Sequence, residues 1–123
     1  MTFLIVDDSQ RFRDSVSRYI RSRIPNHHTI YEAGDGEAAA RLYGEIHPDW
    51  VLMDIAMEPV DGLTGSRAIL RADPHARIVI LTNYDEPAYR EAAKGAGTVG
   101  FVLKEDLTEL LTILSSHPTR GTS

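Results

Sequence analysis

The chain of 123 residues has no cysteine, which removes disulfides, thiolate metal sites and thiol nucleophiles together. Its N-terminal apolar run, Phe3 to Val6, is far too short for the core of a signal peptide or for a membrane span. No excess of positive charge advertises nucleic acid or an anionic membrane, since the formal net charge is -5. There is no internal repeat, no low-complexity tract and no room for a second core at this length. What remains is an ordinary globular composition, 42% apolar and 25% charged. One domain is expected, from a soluble, cytoplasmic protein that binds neither nucleic acid nor membrane directly.

What the chain does have is a regular rhythm. Five short apolar segments rich in Val, Ile and aromatics, residues 2–6, 28–33, 49–54, 76–82 and 98–104, are bounded by charged residues, Gly or Pro, as strands are. Helical spacing fills the gaps: Phe12, Val16, Tyr19 and Ile24; Ala39, Leu42, Tyr43 and Ile46; Leu107, Leu110, Leu111 and Leu114. Asp8 or Ser9 can cap the first helix and Pro25 stops it; "DEP" at 85–87 reads as an N-cap followed by Pro in the first turn. "KGAG" at 94–97 supplies glycine for a left-handed helix end, and Asp73-Pro74 closes the third helix. Three of the strands are continuous apolar runs, the mark of burial on both faces. The expected fold is α/β, a (βα)5 unit with a five-stranded parallel sheet and helices on both faces. The polar stretch 118–123 reads as a flexible tail beyond a domain of residues 1–117.

Open α/β sheets bind ligands at the carboxyl ends of their strands, so the residues standing there matter most. They are Asp7 and Asp8 after the first strand, Asp54 after the third, Thr82 ending the fourth and Lys104 ending the fifth. Each has a bland reading when taken alone: a cap, a solvated acid, a β-branched strand residue, a solvated lysine. Together, three acids repel one another and need a cation, of which Lys104 supplies one charge. A hard divalent ion with oxygen ligands would supply the rest, and Mg²⁺ suits a set of carboxylates, waters and a phosphate oxygen. A carboxylate can attack phosphorus to form an aspartyl phosphate, a reaction that asks mainly for positioning and charge neutralisation.

At this point the residues resemble the receiver domain of bacterial two-component response regulators, of the CheY-like kind, over essentially the whole chain. The carriers are "VDD" (6–8), "EAGDGEAA" (32–39), "MDIAM" with "DG" (53–57, 61–62), "ILTNYD" (80–85) and "GFVLKEDL" (100–107). The wording of the last two looks most like receivers joined to helix-turn-helix output domains. The resemblance implies a flavodoxin-like fold with strand order 2-1-3-4-5 and a phosphoacceptor switch in phosphorelay signal transduction rather than an enzyme. Asp54 would take the phosphoryl group from a histidine kinase or histidine phosphotransfer protein. Asp7, Asp8, Asp54 and the backbone carbonyl of Ala56 would hold Mg²⁺. Lys104 and Thr82 would bind the phosphoryl group, and Phe101 would be the aromatic switch that follows Thr82 inward. The surface of the fourth helix, fifth strand and fifth helix would then repack to make a homodimer or bind a target.

The sequence departs from that family at several places. Glu58 stands where the family has proline, with Pro59 following, and Asn83 stands where it prefers a very small residue. Glu105 replaces a frequent proline after the lysine. Ala56 cannot orient an attacking water and Tyr84 can shield the site, which together imply slow loss of the phosphoryl group. Three other readings compete: a receiver-like interaction domain that is never phosphorylated, a small aspartyl-nucleophile phosphohydrolase, and a flavodoxin-like cofactor binder. The hydrolase wants a second acid at position 56, where the chain has Ala; the cofactor binder wants a phosphate-cradling loop where the chain has "DDSQ".

Overall fold

A computed structural model describes residues 1–57 and 60–116. Within it, strands and helices alternate: β1 Thr2–Val6, α1 Gln10–Arg23, β2 Thr29–Ala33, α2 Gly36–Ile46, β3 Trp50–Met53, α3 Gly62–Ala72, β4 Ile78–Thr82, α4 Pro87–Ala96, β5 Gly100–Leu103 and α5 Thr108–Ser116. All strand pairs are parallel and the order is β2-β1-β3-β4-β5. The sequence placed five strands correctly; β2 to β5 each begin one or two residues later than the apolar pattern suggested. Positions 58, 59 and 117–123 lie outside the described residues, so the expectations for Glu58, Pro59 and the polar tail go with them.

The three continuous apolar runs became the three central strands. From Phe3 to Val6, and throughout β3 and β4, the residues are buried, whereas edge strand β2 buries only Ala33. Side chains alternate between two cores, as the pleat requires. Phe3, Ile5, Leu52 and Leu81 meet Val16 and Ile20 of α1 and Leu110 and Leu114 of α5 on one face. Leu4, Val6, Met53 and Ile80 meet Ala39 and Tyr43 of α2, Ile69 of α3 and Ala93 of α4 on the other. Covering both faces leaves only the sheet's ends open for chemistry.

The helix ends follow local hydrogen-bonding chemistry. Of the two candidates for the α1 cap, Ser9 takes the role, its hydroxyl accepting from the Phe12 N–H at 3.2 Å. This frees Asp8 for the site. At α4 the expected cap is not made: Glu86 occupies the position without a side-chain cap bond, and Pro87 at the first turn needs none. The Asp85 carboxylate accepts instead from Arg90 Nε at 2.7 Å. Gly97 ends α4 at φ 98°, a conformation that a Cβ would strain.

Candidate functional site

The site lies where strand order reverses, between the carboxyl ends of β1 and β3. Backbone ladders run one residue past the strands and fix the acids there: the Asp7 N–H donates to the Ala33 carbonyl at 3.1 Å and the Asp54 N–H to the Val6 carbonyl at 2.9 Å. Lys104 is placed the same way, its N–H donating to the Thr82 carbonyl at 2.9 Å. Gly62 closes in from behind. A Cβ at that position would sit 1.7 Å from the Asp54 carbonyl oxygen, so only glycine lets α3 begin this close to the acid. The turn is tied by the Gly62 N–H donating to the Ile55 carbonyl at 2.9 Å.

Asp7, Asp8, Asp54, Ala56 and Lys104 line one open cleft of about 540 Å³, together with Ser9, Phe12, Asn83, Tyr84 and Glu105. Asp7 and Asp54 are buried, at 1% and 5% exposure, while Asp8 is exposed. The Lys104 Nζ sits 2.6 Å from Asp7 Oδ2 and 3.6 Å from Asp54 Oδ2, bridging the two buried acids. Asp7 Oδ1 accepts from the Ser9 N–H at 2.9 Å, and the Arg13 guanidinium donates to the Asp7 carbonyl while pairing with Glu32 at 2.7 Å. Burial is the largest cause pushing the Asp54 carboxyl up from 3.8 to about 6. Lys104 opposes it, Asp7 adds to it, the Ala56 N–H lowers it by hydrogen bonding, and Asp8 raises it slightly.

Among the described lining residues four acids face a single cation, Lys104. One carboxylate oxygen each from Asp7, Asp8 and Asp54 lies within 4.8 Å of the others. Asp7 Oδ2 receives no hydrogen bond beyond its approach to Lys104. The set is all oxygen, anionic and open on one side, which fits a hard divalent cation with water and a ligand oxygen completing its shell. No described helix is long and apolar enough to cross a membrane.

Thr82 and Phe101 are not in the cleft. Thr82 ends β4 fully buried, its hydroxyl accepting from the Tyr84 N–H at 3.2 Å. Phe101 lies in β5 opposite Ile80, half-buried against the α2-α3-α4 core, with the Arg90 guanidinium over its ring at 4.6 Å. Sequence reasoning counted Phe12 only as part of an apolar stripe, yet its ring lies 4.3 Å from Lys104 Nζ. It gave Arg13 no role and Ser9 only that of a helix-cap candidate. The available signal was position: all three sit in or just before the first turn of the helix that follows the acidic strand end.

Comparison with known proteins agrees with this geometry. The response regulator receiver domain family matches residues 3–115. The uncharacterised transcriptional regulatory protein YxjL of Bacillus subtilis (strain 168) is 35% identical over 117 residues, covering 95% of this chain and 53% of that protein. The transcriptional regulatory protein DegU of Brevibacillus brevis is 32% identical over 102 residues, covering 83% and 43% respectively. The chain thus spans about half the length of these relatives. A two-component response regulator of the LuxR family from Aurantimonas sp. SI85-9A1 superposes with a TM-score of 0.84 at 31% identity, over 98% of this chain and 89% of that one. A chain from the CheX-CheY-BeF3-Mg+2 complex of Borrelia burgdorferi gives 0.85 at 28% identity, over 94% and 87%. With its (βα)5 sheet, its acidic cleft and this match over nearly its full length, the chain belongs to the response regulator receiver domains.

Proposed function

We propose that this domain is a Mg²⁺-dependent phosphoacceptor switch in which Asp54 takes a phosphoryl group from a histidine kinase or histidine phosphotransfer protein. One observation carries the reading: three carboxylates whose oxygens lie within 4.8 Å of one another share a cleft with one lysine that reaches two of them. Asp7, Asp8, Asp54 and the Ala56 carbonyl would hold Mg²⁺, which when bound would draw charge from the phosphoryl oxygens. With its carboxyl at about 6, Asp54 is mostly ionised at neutral pH and available as a nucleophile. A carboxylate oxygen of Asp54 attacks phosphorus; the bond from phosphorus to the donor's nitrogen or oxygen breaks, and the donor leaves with the electron pair. Lys104, already 3.6 Å from Asp54 Oδ2, pairs with a phosphoryl oxygen. Thr82 turns away from the Tyr84 amide to reach a second.

The new group adds roughly -1.5 to -2 charges at Asp54. Thr82 and Phe101 follow that charge, and the α4-β5-α5 surface changes to favour a second copy or a target protein. The domain is a signalling module working in the cytoplasm, acting on its own phosphorylation rather than on a substrate pool. Incubation with Mg²⁺ and acetyl phosphate, followed by intact-protein mass, tests the reading. A phosphate adduct is expected in the wild type, none in Asp54→Asn and none after chelation; an adduct that survives Asp54→Asn would contradict it.

A further inference from the structure

We propose that Arg90 is a positioning residue that holds Phe101 in its outer arrangement, with Asp85 as its anchor. The inference rests on the phosphoacceptor reading above for its role in switching. Its geometry stands apart from that reading. Arg90, in the first turn of α4, makes two contacts at once: its Nε donates to Asp85 Oδ1 at 2.7 Å and its Cζ lies 4.6 Å from the centre of the Phe101 ring. Asp85 precedes α4 yet leaves the helix N-terminus without a side-chain cap, so its carboxylate serves Arg90 instead. The Phe101 ring borders a groove of about 250 Å³ lined also by Arg90, Ala93, Lys94 and Thr98.

The same short loop reaches Thr82. The Tyr84 N–H donates to the Thr82 hydroxyl at 3.2 Å, and the Tyr84 ring packs on Tyr89 at 5.7 Å between centres. One loop therefore ties the Thr82 hydroxyl at one end and, through Asp85 and Arg90, the Phe101 ring at the other. Thr82 cannot turn into the cleft without giving up its bond to Tyr84, the neighbour of Asp85. The guanidinium lies over the ring in this half-buried arrangement; a ring turned further inward behind Thr82 would leave it. Both members of the Arg90–Asp85 pair are about half exposed, at 46% and 54%, so the clamp biases a two-state ratio and does not lock it. A stack and an exposed ion pair together shift such a ratio by roughly fivefold.

The test uses the full chain with Mg²⁺ and no phosphodonor, reading by NMR the cross-relaxation between the Phe101 ring and the Thr82 methyl. Arg90→Ala is expected to strengthen that contact severalfold over wild type, and Asp85→Asn, which leaves the ring and the helix sequence untouched, to do so in the same direction but less. Arg90→Lys keeps the charge but not the planar guanidinium and is expected to fall between wild type and Arg90→Ala. Acetyl phosphate is then added, and Arg90→Ala is expected to gain its adduct about fivefold faster. If Arg90→Ala and Asp85→Asn both leave the contact at the wild-type value, the positioning role is overturned. A wild type that takes up no phosphate overturns the Asp54 reading instead, and the donor-free contact still decides the role of Arg90.

Discussion

Asp54 carries opposing demands. As the proposed nucleophile its carboxylate must be ionised, yet burial holds its carboxyl at about 6 instead of 3.8. Between those values the unfolded chain binds fewer protons than the folded one, so stability falls as pH rises across that window. The difference corresponds to roughly 3 kcal/mol at neutral pH. Asp54→Asn removes the buried charge, and thermal unfolding without divalent ions is expected to show a higher Tm than wild type at pH 7. That gain should shrink towards zero near the lower end of the window, and added Mg²⁺ should narrow it by stabilising only the wild type. An Asp54→Asn protein less stable than wild type at pH 7 would mean that Lys104 fully compensates the acid.

Two further residues would set how long a phosphoryl group lasts on the proposed acceptor. Ala56 lines the cleft with a methyl group, which offers an incoming water nothing to bond to. Tyr84 lines it too, at 45% exposure, and can stand over the site. Ala56→Asn places an amide where it can orient water, so the adduct is expected to decay about tenfold faster by intact mass, less than a positioned general acid or base supplies because the amide takes no proton. Unchanged decay would assign the lifetime to Tyr84.

At the scale of elements, the site depends on how closely α3 approaches the end of β3. Gly62 is the constraint. Its replacement by Ala puts a methyl group against the Asp54 carbonyl, and the backbone rather than a flexible side chain must yield. Denaturant unfolding of Gly62→Ala is expected to show a loss of about 3 kcal/mol, at the upper end for overpacking, together with weaker Mg²⁺-dependent stabilisation. A loss of stability with Mg²⁺ binding intact would show that Asp54 does not move with its carbonyl. The first helix is positioned more gently, through Ser9. Its start beside Asp7 brings Phe12 to the cleft and the Arg13 guanidinium to the Asp7 carbonyl behind it.

Across the whole molecule, the fold was legible because burial leaves a periodic trace. Buried central strands read as unbroken apolar runs, and helix faces repeat at the spacing of a turn. The strand-end acids, Thr82 and Lys104 were legible because parallel topology sends every strand's carboxyl end to one rim. What could not be read were contacts made across sequence distance by side chains with other plausible uses. Phe12 under Lys104 and Arg90 over Phe101 depend on rotamers and on which faces meet, and neither leaves a pattern along the chain. The cap of α4 failed for the same reason: Asp85 has a good local partner in the helix amides but meets Arg90.

The central claim is that the phosphoryl group sits on the Asp54 carboxylate. Borohydride reduces an aspartyl phosphate to homoserine, so the most direct measurement is treatment of the protein with Mg²⁺ and acetyl phosphate, then borohydride, then peptide mass mapping. Homoserine at position 54, dependent on Mg²⁺ and absent without donor, is the predicted result. Homoserine at Asp7 or Asp8, or no reduction at any aspartate in a protein that carries phosphate, would contradict the account.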